Sequence, residues 1–158
     1  MEPTPPPQVK NLLVLHFALF AGQIIFVVLA TVLVVLQLFP AVLGKYGAEM
    51  ILLSALIEVI AIALARILFK RKLKKINTHP ATLSEKLVAY RSANITRWAI
   101  LEGAALITLV IFLLTNQWLI LIIILALLFI FYTTRPTAPN IATDLNVNEQ
   151  EILKLGGE

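Results

Sequence analysis

Cysteine is absent from this 158-residue chain, which excludes disulfides, thiolate metal sites and a cysteine nucleophile and leaves the redox compartment unread. Charge is scarce too: Asp, Glu, Lys and Arg make up 14% and hydrophobic residues 59%, against roughly 25% and 45–50% in soluble domains. That balance excludes an ordinary soluble domain and indicates an integral membrane protein. Histidine occurs only twice, with no His-Glu metal-ligand spacing, and the chain carries neither a P-loop nor a GxSxG elbow. No catalytic residue, metal ligand or cofactor site is assigned, and no enzyme is expected. The N-terminal MEPTPPPQVK lacks a basic n-region, and the apolar run after it is longer than a signal-peptide core. The first span is therefore expected to be retained.

What the chain has in quantity is long apolar runs. Four can cross a hydrocarbon core of about 30 Å, for which about 20 residues suffice: Leu12–Phe39, Met50–Phe69, Trp98–Leu114 and Trp118–Thr133. Only TNQ joins the last two, so they form an antiparallel hairpin. The expected fold is all-α, a four-helix transmembrane bundle with up-down antiparallel order. Residues 1–136 make the membrane domain and 137–158 a tail with a short helix.

Lys and Arg asymmetry sets orientation. The middle connection carries Lys70, Arg71, Lys72, Lys74 and Lys75, with Lys86, Arg91 and Arg97 beyond, whereas the first loop holds only Lys45 and the last none. The middle segment should face the cytoplasm, and both termini with it. The net charge of +4 then belongs to one face. Its plain reading is contact with anionic lipid head groups, at about 1 kcal/mol per basic residue. Nucleic acid is not expected, because no stacking aromatics or RNA-binding signature accompany the charge.

Helices 2 and 3 should extend beyond the membrane on that side. TLSE at Thr82–Glu85 has capping-box form, and KLVAYRSANITRW continues from it without Pro or Gly. One helix of about 33 residues, roughly 50 Å long, would outrun the hydrocarbon. His79 lies in the polar turn ahead of Pro80, where it is expected to be solvated. After the fourth span RPTAP stops the helix. In the tail, Asn148 can cap a short helix that Gly156 ends, with Ile152, Leu153 and Leu155 docking it on the stalk or on a partner.

Counting inward at about 1.5 Å per residue sorts the intramembrane polar groups by depth. Arg66, Glu102 and His16 form a shallow layer; Glu58, Gln23 and Thr108 form a deep one near the midplane. Such groups usually face the bundle interior, paired. Glu102 is therefore expected to pair with Arg66, His16 to hydrogen-bond between helices, and Glu58 to be protonated and bonded to Gln23. The pairs Ala18-xxx-Gly22, Ala61-xxx-Ala65 and Ala99-xxx-Gly103 permit close backbone approach. With the polar layers they predict helices 1 to 3 as the core and helix 4 outside.

The segments YRSANITRWAILEGAAL and RPTAPNIATDL resemble those of small four-span membrane proteins of Bacteroidota-type bacteria, over the second half of the chain. The resemblance brings no activity with it. A mid-membrane glutamate in a helical hairpin is also similar to the rotor proteolipids of ATP synthases, but their Gly-rich packing run is missing and the basic stalk departs from them. Three function classes follow. The first is a non-enzymatic structural or assembly subunit of a bacterial inner-membrane complex, contacting other membrane subunits or its own copies through the apolar fourth helix, the stalk or the tail. The second is a proton- or ion-conducting element using Glu58. The third, an enzyme on lipid-like substrates, is disfavoured by the missing catalytic constellation.

Overall fold

The computed structural model describes residues 7–154, and all regular structure among them is helical. The elements are α1 (Pro7–Val35), α2 (Gly47–Thr78), α3 (Leu83–Thr115), α4 (Trp118–Thr133), α5 (Ala138–Leu145) and α6 (Glu149–Lys154), with a 3-10 turn at Gly44–Tyr46. Three helices, α1 to α3, are each long and apolar enough to cross a membrane; α4 reaches that measure only together with α5, from which it is bent by 76°. The chain is a multi-pass membrane protein.

Local chemistry sets the helix ends. α1 stops at Val35 rather than Phe39 because Gln37 takes a φ of 54° and Leu38 N–H turns back to the Leu33 carbonyl at 3.0 Å. This satisfies a helix-end carbonyl just ahead of Pro40. α3 begins at the capping box: Glu85 N–H donates to the Thr82 hydroxyl at 3.4 Å, and Thr82 N–H donates to the Glu85 carboxylate at 2.8 Å. Those bonds from Thr82 hold the Glu85 carboxyl below the usual carboxylate range. At the other end Asn116 adopts a left-handed φ of 54° and turns the chain into α4. The loop before α2 is tied to that turn, since Leu43 N–H donates to the Leu114 carbonyl at 2.9 Å. Gly47 sits directly beneath the Gln117 side chain, where a Cβ would come within 2.6 Å of the amide.

The central element is α3, which packs against α1, α2 and α4, while α1 leans on α3 and α4 rather than on α2. The expected division of core and periphery changes accordingly. Ile120, Ile124, Leu127 and Phe131 of α4 are all buried, because their spacing forms one helical stripe that α3 receives. Helix 4 is therefore part of the core, and its lack of polar groups reflects apolar packing rather than an outside position. The small-residue pairs also separate. Ala61 and Ala65 are buried, whereas Ala18 and Ala99 are exposed and a Cβ on Gly22 or Gly103 would meet nothing within 4 Å.

Two apolar clusters make up the interior. One, toward the basic end, gathers Leu12, Ala61, Ala65, Leu101, Ala104, Ala105, Leu127 and Phe131. The other gathers Ala30, Val34, Leu109, Phe112, Ile120 and Ile124. The tail holds two short helices where one was expected. Asn148 caps α6, accepting from Gln150 N–H at 3.1 Å; Leu155 and Gly156 lie outside the described residues. α5 starts with Pro139 in its first turn, a position where proline's missing N–H costs nothing. Ile141, Leu145 and Ile152 are buried in the same cluster as Phe69, Leu87 and Tyr90, so the tail docks on the stalk of its own chain.

Candidate functional site

The deep polar residues all turn inward. Gln23 and Glu58 are each 3% exposed, and Ser54 and Thr108 are fully buried. Along each helix they fall between the two apolar clusters: Gln23 between Leu12 and Ala30, Glu58 before Ala61, Thr108 between Ala105 and Leu109. Helix periodicity aligns Ser54, Glu58, Ala61 and Ala65 on one stripe of α2, and that stripe faces α3.

The expected bond between Glu58 and Gln23 is not formed. Both polar atoms of the Gln23 amide are without a hydrogen-bond partner, because α1 leans away from α2. Glu58 instead lies within reach of Thr108 on α3, although the Thr108 hydroxyl and one Glu58 oxygen close no regular hydrogen bond.

The shallow layer does not assemble. Arg66 is exposed and lines a cavity with Arg97, Ile130 and Thr134 on the α4 side of α2. Glu102 is half-buried on a stripe of α3 that includes exposed Ala99 and Leu106. Equal depth failed to bring the two together because their azimuths differ: the α3 face received by α2 and α4 runs through Leu101, Ala104 and Thr108, and Glu102 is turned about 100° from Leu101. His16 leaves the layer as well. Its ring stacks on Phe131 with centroids 4.9 Å apart and planes 8° from parallel, and lies 4.9 Å from the Trp98 ring. Neither ring nitrogen has a hydrogen-bond partner, so this buried histidine joins α1 to α3 and α4 by aromatic packing and not by the expected hydrogen bond.

Of the basic run, Lys70, Arg71, Lys74 and Lys75 are exposed, consistent with a solvated stalk. Lys72 differs, donating to the Thr96 hydroxyl at 2.6 Å and tying α2 to α3. His79 is exposed.

The residue that sequence reasoning missed is Arg97, which counts there only among the basic residues that set orientation. It is half-buried. Its Nη2 donates to Asn94 Oδ1 and to the Thr134 carbonyl, each at 2.8 Å. Its guanidinium lies 4.0 Å over the Phe69 ring, and its Nε is buried with no partner. The Thr134 carbonyl is one of those left over at the end of α4, so the guanidinium serves as a charged cap there. Trp98 adds a second tie, its indole N–H donating to Thr134 Oγ1 at 3.0 Å. Burial pulls the Arg97 pKa below the ordinary arginine value. Beside it, burial and the Asp144 carboxylate push the Tyr90 phenol up, and its hydroxyl donates to Asp144 at 2.9 Å. One signal in the sequence could have found Arg97: it shares helical spacing with Tyr90, Asn94 and Leu101, all of them inward-facing.

Among the described residues no cluster of His, Asp or Glu is arranged to hold a metal ion. The chain matches no protein-family model, no curated protein and no solved structure.

Proposed function

We propose that this chain is a non-enzymatic subunit of a helical membrane assembly in a bacterial inner membrane. Its four spans form an antiparallel up-down bundle with the basic stalk and both termini cytoplasmic, and its relatives are small four-span proteins of Bacteroidota-type bacteria. One observation carries the reading. The outward stripe of α3 sets a half-buried carboxyl, Glu102, beside Ala99 and Gly103, with open space where a Gly103 Cβ would stand. A carboxyl within a membrane span is costly unless a donor reaches it, and small residues let a second backbone approach closely. The occupant that satisfies both is a transmembrane helix of another subunit carrying a polar donor at that depth.

The test is purification in mild detergent followed by mass spectrometry, wild type against Gly103→Leu. Wild type should hold a stoichiometric membrane partner; the variant should lose it while keeping its own helical content. A wild-type chain that purifies alone as a monomer would overturn the reading.

A second reading, a proton-conducting element, draws on the burial of Glu58 opposite Thr108 with one oxygen unpartnered. Proton flux in liposomes decides it. Flux in wild type that vanishes in Glu58→Gln supports conduction, since an amide cannot titrate; equal flux in both, or none, rejects it.

A further inference from the structure

Three neighbouring cavities open around Arg97 where α2, α3 and α4 meet the tail, with volumes of about 240, 220 and 390 Å³. Their walls carry four cations, Arg66, Lys70, Arg97 and Arg135, against one carboxylate, Asp144. None of the observed hydrogen bonds of these cations goes to that carboxylate. Arg97 donates to a side-chain amide oxygen and a backbone carbonyl, and Arg135 to the Tyr132 hydroxyl at 3.0 Å. Asp144 is itself engaged by Tyr90. The recess therefore keeps an excess of positive charge, and Arg97 keeps a buried, unused Nε–H.

The walls are not uniform. On the side away from the tail, Ile62, Ala65, Leu101 and Ile130 line the cavity with Arg66 and Arg97. On the tail side, Thr133, Thr134, Asn140 and Thr143 line the wall, with their side-chain donors turned to backbone carbonyls. Planar guanidinium donors and a net positive field match the tetrahedral oxygens of a phosphate group. The apolar wall matches a hydrocarbon neighbour. Exposed stalk lysines bind anionic surfaces only diffusely, whereas this recess offers a shaped site for one group.

We propose that the recess around Arg97 binds a phosphate group as a monoester or diester, with Arg97, the cation common to its three cavities, as the principal donor, flanked by Arg66 and Arg135. The group can arrive on a phospholipid entering between α2 and α4, or as a free anion from the aqueous side.

Native mass spectrometry of the full chain in a phosphate-free, non-ionic detergent solution tests this, with phosphatidylglycerol, diacylglycerol of the same chains and inorganic phosphate as probes. One phosphatidylglycerol should bind per chain and diacylglycerol should not. Arg97→Gln should weaken binding about tenfold or more, and Arg66→Gln and Arg135→Gln about threefold each, the scale of charge-assisted hydrogen bonds. Lys74→Gln, which removes the same charge from the exposed stalk, should leave binding unchanged. Arg66 and Arg135 are exposed, so their variants stand in should Arg97→Gln not fold. Displacement of the lipid by millimolar inorganic phosphate assigns a free anion as the source; resistance to it assigns the lipid. Diacylglycerol binding as well as phosphatidylglycerol, wild-type binding in all the arginine variants, or an equal loss in Lys74→Gln would each overturn the proposal.

Discussion

Truncating Ile141 to alanine should release the tail from the stalk. Ile141, Leu145 and Ile152 are each no more than 1% exposed and belong to the cluster that contains Phe69, Leu87 and Tyr90. Two hydrogen bonds accompany them: Tyr90 hydroxyl to Asp144, and Asn77 amide to the Asp144 carbonyl, both 2.9 Å. Removing a buried isoleucine to the β-carbon costs about 2–5 kcal/mol. At about 1.4 kcal/mol per tenfold, even the lower value raises the undocked population about 30-fold. Amides of residues 141–147 should then exchange hydrogen at least about 30-fold faster, while those of α3 within the membrane keep wild-type rates. Hydrogen exchange read by mass spectrometry in detergent measures both, with Glu149→Ala as an exposed control expected to stay within about 0.5 kcal/mol. Exchange in 141–147 within about twofold of wild type would refute the docking energetics. Equal acceleration along α3 would refute the independence of the tail.

Four further outcomes follow. Because Arg66 and Glu102 lie on different sides of the α2–α3 pair, Arg66→Met and Glu102→Gln should add within about 0.5 kcal/mol in a double-mutant cycle of unfolding; a coupling of about 3 kcal/mol would restore the ion pair. Thr82→Ala should lower stalk stability by about 1 kcal/mol, seen as faster exchange confined to the first turns of α3. The depressed Glu85 pKa has a definite sign: its stabilising effect is present above the unfolded carboxylate pKa and is lost as pH falls through the lower folded value, so the difference between wild type and Glu85→Gln should shrink on acidification. Reporters fused after Glu158 and inserted in the Asn77–Pro80 turn should both register cytoplasm; a periplasmic signal from either would reverse the proposed orientation.

The features that local rules govern were legible in the sequence. Apolar length located the long helices, Thr82 and Glu85 announced the start of α3 at the observed residue, and the uninterrupted run from there to Thr115 is one helix. Asn148 likewise capped the last helix. The miss in the tail was also local. Thr137-Ala138-Pro139 reads as a stop after α4, yet proline that ends one helix can begin the next, and APNIATDL places Ile141, Ala142 and Leu145 on one buried stripe. Reading the proline only as a terminator hid α5.

The site was less legible because depth is one coordinate and azimuth is another. Counting residues from the basic end placed Arg66 and Glu102 at the same level, but contact between helices also requires that the two side chains point at each other. With α3 in the centre, three neighbours share its inner arc, through Tyr90, Asn94, Leu101, Ala104, Thr108 and Phe112, and Glu102 lies outside that arc. The same reasoning draws Arg97 in. It stands one turn from Asn94 and from Leu101, on the arc that meets α4, where the Thr134 carbonyl is exposed by the end of a helix that Pro136 cannot continue. An arginine at that angle and depth is held by a leftover carbonyl and an aromatic face and keeps donors free. An arginine at the same depth but turned outward would extend to water. Angular position around α3 therefore determines which cation can bind a ligand and which carboxylate needs a partner from another chain.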